Sequence, residues 1–370
     1  MSGISESARR RRKLFLVLVG ISCASATFFG VIAGVAVFAK QPMHGAAFGF
    51  AAALLPAILI SGLIAGTEIY LPRTRAGRML ERAPFLATLA LKSLVYTALV
   101  ILVLGSKVAR WIAAYAVFGH AAAADVYRWE PFPIAISIAI VLLLLPTLVM
   151  MLQMAGLVGG STLISIALGR YHRSRLEERF FLFIDIVGST PIAERLGPAS
   201  VHQFLSRVFQ VASDPIDDHA GDVYQYVGDE VVVTWTLAQG RQGARPVACH
   251  FAVQRALEDA APEFEREFGA VPQLRAALHA GPVITGEVGG SRRSIVFHGD
   301  VMNTTSRIEN ATRDLKRPFL ASEDAVRRLE GMENYALEDL GPQQLRGRAA
   351  PVRVYAVSAA GTARIPGAAA

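Results

Sequence analysis

The sequence predicts a multi-domain chain in which an N-terminal, all-α transmembrane helical domain is followed by a soluble α+β domain. Up to about residue 169, Ala, Leu, Val, Ile and Gly occur in long uncharged runs. After Arg170 the density of charged residues is that of an ordinary soluble protein, and short apolar strands alternate with amphipathic helices. The two halves are suited to different solvents, and 370 residues leave room for both.

Four uncharged runs predict four transmembrane helices, at residues 14–39, 46–67, 85–104 and 131–151. Each is close to the length of about 20 apolar residues that a helix needs to cross a bilayer core. Six crossings are the alternative, because the uncharged run over 131–169 is long enough for two short spans and residues 111–124 are weakly apolar. Either number returns the chain to the side of the membrane from which it started.

Basic residues beside the apolar runs predict the orientation. Arg and Lys cluster at 9–13 and again at 73–82, and such clusters stay on the cytoplasmic side of a membrane. We therefore expect a multi-pass protein of the plasma (inner) membrane, with its N-terminus and its soluble domain in the cytoplasm. The same placement favours the lipid bilayer, and not a nucleic acid, as the partner of these residues. The cysteines, Cys23 and Cys249, imply neither a disulfide nor a zinc site.

These patterns divide the chain into five parts along the sequence. The predicted parts are a basic N-terminus over 1–13, a transmembrane domain over 14–154, a linker helix over 155–179, the soluble domain over 180–358 and a disordered, Ala- and Gly-rich tail over 359–370.

The first chemical motif is a carboxylate at the end of an apolar strand. Residues 180–187 are apolar except for Asp185, and a buried carboxylate requires a partner or a cation. The strand continues into Gly188, Ser189, Thr190 and Pro191, where Thr190 is expected to cap a helix whose first residue is Pro191. A helix N-terminus beside a carboxylate suits a metal-bound polyphosphate, because its free N–H groups face the anion.

The second motif is a predicted hairpin over residues 223–233, with Gly228 and Asp229 at its turn. Alone, a Gly-Asp pair is usually only a turn. Together with Asp185 it gains a chemical meaning, since carboxylates at two adjacent strand ends suit a pair of divalent ions about 3.5–4 Å apart. Such ions activate an attacking hydroxyl and neutralise phosphate charge.

The third motif lies in residues 299–309, where Asn303 and Arg307 are four residues apart and therefore share one face of a helix. An amide and a guanidinium on one face suit contacts to a ribose and a phosphate. A lone pair with this spacing is more often part of an exposed helix surface, so the motif gains weight only from the other two.

In this order and spacing, the three motifs resemble the class III adenylyl and guanylyl cyclases over roughly residues 180–357. The resemblance implies a ferredoxin-like βαββαβ catalytic domain that works as a head-to-tail homodimer, with each site built from both subunits. It implies in-line attack of the ribose 3′ oxygen of a nucleoside triphosphate on the α-phosphate, with release of pyrophosphate. ATP is favoured as the substrate by its frequency in the family, which makes adenylate cyclase the expected function.

The resemblance also assigns roles to individual residues. Asp185, Ile186 and Asp229 are the metal-binding positions for two Mg²⁺ or Mn²⁺ ions per site; Asn303 and Arg307, from the other subunit, orient the ribose and stabilise the transition state; Gly188, Ser189, Thr190 and Arg346 bind phosphate; Gln225 and Val296 occupy the base-selecting positions. Gln225 and Val296 depart from the family's usual pair, lysine with Asp or Thr. They do not match guanine-selecting residues either, so the chemistry of these two residues does not decide between ATP and GTP as the substrate.

Two other interpretations are compatible with parts of the sequence. A Gly-Asp-Glu turn also occurs in diguanylate cyclases, but Val227 and Val231 stand where that signature has Gly and Phe, and the segment with Asn303 and Arg307 belongs to the other family. A catalytically weak or inactive membrane sensor that keeps a cyclase fold is the stronger alternative. Against it stands the presence of both carboxylates together with Asn303 and Arg307.

Overall fold

The computed structural model describes most of the C-terminal half of the chain and parts of the N-terminal half. The described residues are 62–64, 66–67, 70–71, 74, 77, 80, 83–98, 101, 149–150, 169–290, 294–348 and 350–360. The chain divides into two compact units between Val158 and Gly159.

In the N-terminal unit, residues 85–98 are helical, and the hydroxyls of Thr67 and Tyr96 are hydrogen bonded at 2.8 Å. The predicted spans at 14–39 and 131–151 lie outside the described residues except for 149–150, and those at 46–67 and 85–104 are described only in part. Within the described positions, no helix has both the length and the apolar character needed to cross a bilayer. The number of spans and their orientation stay predictions. Residues 155–168 of the predicted linker helix lie outside the described residues, whereas residues 175–179 form the start of a strand. Of the predicted disordered tail over 359–370, Ala359 ends a strand, and residues 361–370 lie outside the described residues.

The C-terminal unit is built on one mixed sheet of eight strands, with the order β2-β3-β1-β4-β6-β8-β7 and with β5 paired to β4. The strands are β1 (Arg175–Ile186), β2 (Asp222–Val227), β3 (Glu230–Thr236), β4 (Leu274–Val288), β5 (Ser294–His298), β6 (Phe319–Ser322), β7 (Tyr335–Gln343) and β8 (Val352–Ala359). Only the pairing of β4 with β6 is parallel among these described strands.

Six α-helices connect the strands: α1 (Ser189–Asp218), α2 (Leu237–Arg241), α3 (Arg245–Asp259), α4 (Ala261–Phe268), α5 (Asp300–Asp314) and α6 (Glu323–Val326) within the described residues. The first four strands lie in the order β2-β3-β1-β4, each antiparallel to its neighbour, with α1 between β1 and β2 and with α3 between β3 and β4. This is the βαββαβ arrangement that the resemblance implied.

The central strand β1 is apolar on both faces because both faces are covered. Phe180 and Leu182 pack into the larger core with α1, α3 and α4, whereas Phe181 and Phe183 belong to a second cluster on the opposite face. Side chains alternate between the two faces of a strand, so Asp185 is on the same face as Phe181 and Phe183. The carboxylate therefore occupies a position that continues an apolar stripe.

The expected cap of α1 is wrong by two residues. The helix begins at Ser189, with Gly188 as its cap and no side-chain hydrogen bond at that end, so Thr190 and Pro191 already lie inside its first turn. Gly188 has φ +69°, a left-handed conformation that glycine adopts without steric cost. This lets the chain turn directly from β1 into the helix. The predicted hairpin is confirmed, since β2 and β3 pair antiparallel around Gly228.

His250 is a buried imidazole within the larger core. It lies on α3, is 2% exposed, and its ring packs 4.3 Å from that of Phe319, measured between centroids. Its Nδ1 has no hydrogen-bond partner. Burial lowers the pKa of His250 to about 4 from 6.5, so the folded protein holds the ring neutral.

This pKa shift predicts a pH-dependent loss of stability. The neutral ring is favoured above pH 6.5, and its contribution is lost as the pH falls through the unfolded and then the folded pKa. Between pH 7 and pH 5, His250 is expected to lower the free energy of unfolding by about 2 kcal/mol. His250→Leu should remove this loss. The difference in the free energy of unfolding between the variant and wild type should therefore change by about 2 kcal/mol from pH 7 to pH 5.

Native-state hydrogen exchange of β1 peptides in the full chain, read by mass spectrometry at both pH values, measures the change. The exposed His202→Leu variant is the matched control for loss of an imidazole. An equal pH dependence in wild type and His250→Leu would contradict the prediction.

Candidate active site

Asp185 lies in a buried network of charges at the end of β1. It is 6% exposed, and the strand register places it opposite Arg275 on β4. The Arg275 guanidinium donates one hydrogen bond to Asp185 and a second, from Nε, to Glu309 Oε1 at 2.5 Å. The side chains of Arg275 and Glu309 are themselves 12% and 7% exposed, so this network is shielded from water. Arg275 thereby links the end of β1 to helix α5.

Asp229 lies in the β2–β3 turn directly after Gly228, which has φ +64°. Its side chain is within hydrogen-bonding reach of both Asp185 and Ser189, the first residue of α1. The structure therefore brings the predicted carboxylate pair together at the N-terminus of a helix, as the sequence led us to expect.

The carboxylates of this cluster disfavour each other's charge. Burial, followed by the hydrogen bond and charge of Asp229, raises the pKa of Asp185 to about 6. Burial also opposes the ionised form of Asp229, but hydrogen bonds from Ser189 and Asp185 hold its pKa below the ordinary value. Burial and the nearby charge of Glu309 raise the pKa of Glu230 to about 7. The cluster binds protons because several negative charges share a poorly solvated site.

The carboxylates of this cluster can be compared with the ligands that a divalent cation requires. Asp185, Asp229, Glu230 and Glu309 interact electrostatically around one guanidinium, that of Arg275. The described residues contain no group of three or more acidic, His or Cys side chains arranged to hold a metal. A carboxylate pair nevertheless suits Mg²⁺, which is typically bound through one or two carboxylates, with water and substrate phosphates completing its coordination.

Asn303 and Arg307 both lie on α5, as predicted. Val301 and Ile308 anchor this helix in the hydrophobic clusters, while Asn303 is exposed and Arg307 half-buried. Asp185 contacts Arg275 and Asp229, and no hydrogen bond or ion pair in the described part of the chain joins it to Asn303 or Arg307.

The C-terminal basic segment packs against the same helix. Arg348 donates to Thr304 Oγ1 at 2.5 Å and forms an ion pair with Asp300 at 3.4 Å. Gly347 lies beside Arg307, because a Cβ on Gly347 would be 3.6 Å from Arg307 Nη2. Arg346, just before it, is exposed. The structure thus brings the backbone that follows Arg346 against Arg307.

The predicted base-selecting residues lie on β2 and β5. Gln225 is exposed and Val296 is half-buried. Their sequence neighbours Tyr224 and Phe297 meet in an edge-to-face contact with ring centroids 4.8 Å apart. The strands that carry Gln225 and Val296 therefore converge through this aromatic pair.

Residues 172–359, about half of the chain, match the family model described as the adenylate and guanylate cyclase catalytic domain. The chain belongs to this cyclase family.

Curated relatives of this chain include two proteins of Rhizobium meliloti (strain 1021). Adenylate cyclase 2 is 36% identical over 212 residues, which cover 57% of this chain and 58% of that protein. Adenylate cyclase 1 is 29% identical over 187 residues, or 48% of this chain and 27% of that protein. Among solved structures, a bacterial light-regulated adenylyl cyclase superposes with a TM-score of 0.45 at 22% identity, covering 50% of this chain and 52% of that one. The chain thus spans less than two thirds of the length of either Rhizobium protein.

Three members of the charged cluster around Asp185 were not predicted from the sequence: Glu230, Arg275 and Glu309. Arg275 is the second residue of β4, just before the apolar residues 276–278. A basic residue at the start of an apolar strand was the available signal. It is the counterpart of the carboxylate at the end of β1, with which it pairs.

Proposed function

We propose that this chain is a membrane-bound adenylate cyclase that converts ATP to 3′,5′-cyclic AMP and pyrophosphate in signal transduction. The observation that carries the proposal is the Asp185–Asp229 pair beside the N-terminus of α1, within a domain of the cyclase family. The whole activity is proposed, because the match covers only part of the relatives that are named adenylate cyclases.

Asp185, Ile186 and Asp229 would hold two Mg²⁺ or Mn²⁺ ions, and the clustering of acidic groups around Asp185 supports this assignment. When bound, the ions supply Lewis-acid activation of the ribose hydroxyl and neutralise phosphate charge. The open N-terminal turn of α1, from Gly188 through Ser189 and Thr190, offers free backbone N–H groups to the triphosphate.

The remaining groups act on the ribose and the phosphates. Arg307 would stabilise the charge that develops as the 3′ oxygen attacks the α-phosphate, and Asn303 would orient the ribose for in-line attack. Arg346 would bind the triphosphate from the loop that packs on α5, and the contacts of Arg348 with that helix support this placement.

A homodimer would complete the site. Asp185 and Asp229 form one cluster, whereas Asn303, which is exposed, and Arg307, which is half-buried, lie on α5. Exposed apolar side chains near the predicted site support association with a second copy of the chain: Tyr226, Val227 and Val288 are 52%, 51% and 50% exposed. Head-to-tail pairing would bring the two half-sites of different subunits together.

Guanylate cyclase activity is the second candidate. The amide of Gln225 has hydrogen-bonding groups for a purine edge, but Val296 has none. The pair therefore does not select adenine by chemistry, and the family includes both activities. ATP is preferred here because the two Rhizobium relatives are named adenylate cyclases.

The membrane attachment is proposed from the sequence. Four uncharged runs, or six, would anchor the protein in the plasma (inner) membrane, with basic clusters keeping the N-terminus and the catalytic unit in the cytoplasm.

The test is an assay of the full-length chain in membranes with ATP and with GTP, each in the presence of Mg²⁺ and of Mn²⁺. We expect cyclic AMP with pyrophosphate, identified by mass. Cyclic GMP as the dominant product would reassign the substrate. The absence of a cyclic nucleotide under all four conditions would contradict the enzyme and favour the inactive sensor.

A further inference from the structure

Arg179, near the middle of β1, is a buried cation that the proposed chemistry does not use. It is 6% exposed, and its Nε donates to Glu177 Oε2 at 3.0 Å while its Nη2 donates to the hydroxyl of Tyr171 at 3.2 Å. The guanidinium carbon also lies 4.8 Å from the centroid of the Phe297 ring. A buried guanidinium with one carboxylate, one hydroxyl and one aromatic face is held in a single orientation.

Tyr171 is fixed as firmly as Arg179. It is 4% exposed, its hydroxyl donates to Glu177 at 3.4 Å, and its carbonyl accepts a hydrogen bond from the N–H of Glu287 at 3.1 Å. The fully buried Thr285 also donates to Glu177 at 3.4 Å. The residues just before β1 are thereby attached to β4 through both backbone and side chain.

Phe297 connects this network to the predicted base-selecting positions. Its ring contacts those of Phe181 and Tyr224, with centroids 5.4 and 4.8 Å away. Phe297 directly follows Val296 in β5, and Tyr224 directly precedes Gln225 in β2. The guanidinium of Arg179 therefore packs on Phe297, one member of the aromatic pair that joins these two strands.

The register of β1 places this support on the same face as the metal-binding end. Arg179, Phe181, Phe183 and Asp185 occupy alternate positions of the strand, so their side chains share one face. Phe181 and Phe183 fill the space between the two ends as part of the second hydrophobic cluster. A change at Arg179 would move the β5 side of the pair while Asp185 stays in register with Arg275.

We propose that Arg179, held by Tyr171, is a positioning residue for the nucleotide base: it fixes the Phe297–Tyr224 pair and so sets the gap between Val296 and Gln225. The inference rests on the proposed function and on the base-selecting roles of those two residues. A purely structural ion pair would stabilise the fold without affecting which purine is preferred. Because Tyr171 lies in the segment that leads into β1, the position of that segment also affects base preference.

The test compares Tyr171→Phe and Arg179→Lys with wild type in the full-length chain, in membranes. Tyr171→Phe removes only the hydroxyl, and Arg179→Lys keeps the charge but loses the planar group that covers Phe297. Arg207→Lys is the matched control, because Arg207 pairs with Glu263 at 2.7 Å on the surface of α1. The readouts are kcat and KM for ATP and for GTP.

We expect Arg179→Lys to bring the ATP-to-GTP ratio of kcat/KM closer to one by about fivefold or more, through KM rather than kcat, with Tyr171→Phe changing it in the same direction and the control not at all. If Arg179→Lys does not fold, Tyr171→Phe decides. An unchanged ratio, or equal losses with both nucleotides, in an active protein overturns this inference alone. A wild-type chain that makes no cyclic nucleotide overturns the proposed function, and this inference with it.

Discussion

Replacing Asp185 with Asn is expected to lower kcat by about a thousandfold or more while the catalytic unit stays folded, because cation-assisted charge stabilisation accounts for several kcal/mol of the barrier. Asn has the same shape but lacks the charge that would hold an ion between it and Asp229. Initial rates of cyclic nucleotide formation in membranes measure the effect. Asp259→Asn, at the exposed end of α3, is the matched control and should keep wild-type activity.

The same variant separates a catalytic from a structural role through its stability. The pKa of Asp185 is raised to about 6 from 3.8, so its favourable contribution to folding is fully present below 3.8 and is lost as the pH rises through about 6. Asn carries no charge and avoids that loss. At pH 8 with chelator present, Asp185→Asn should therefore unfold at the same temperature as wild type or a higher one. Unfolding at a markedly lower temperature would mean that the lost activity reflects a damaged fold.

Co-expression of two inactive chains, Asp185→Asn and Arg307→Ala, is expected to restore activity. In a dimer of the two variants, one shared site carries both defects and the other carries none. Random pairing makes half of the dimers mixed, so the yield is about a quarter of wild-type activity. Activity in membranes that contain both chains, compared with each chain alone, measures the rescue.

The matched control for this rescue is co-expression of Asp185→Asn with Asp229→Asn. Both changes fall in the same half-site, so each site of a mixed dimer keeps one defect and no activity returns. No rescue in the first pair would show that each chain builds its own site. Rescue in this control would show that Asp185 and Asp229 do not belong to the same half-site.

The sequence could predict those elements whose cause is local. The apolar run around Phe181 specified a buried strand, and Gly228 with Asp229 specified a hairpin turn; both are confirmed. The proximity of Asp185 and Asp229 was also predicted, because carboxylates at two adjacent strand ends suit a shared pair of divalent ions. The α1 cap was wrong because Gly188 turns the chain earlier than Thr190 would, and its positive φ depends on how the strand meets the helix.

Long-range contacts could not be predicted in the same way. Arg275 lies on β4, 90 residues from Asp185 in the chain, and the strand register brings the two together. Glu309 lies on α5, and the packing of that helix places it beside Arg275. Without the register, Arg275 is only one of many basic residues. The role of Arg179 likewise depends on Phe297 lying under its guanidinium.

The register of β1 also bears on how the protein is made. This strand is synthesised first among the eight, yet its partner β4 is complete only when the chain reaches Val288. At about 5–20 residues per second, a ribosome needs roughly 5–20 s to add the residues that separate the two strands. During that interval the edge of β1 that will pair with β4 has no partner strand, and unpaired strand edges are prone to aggregation.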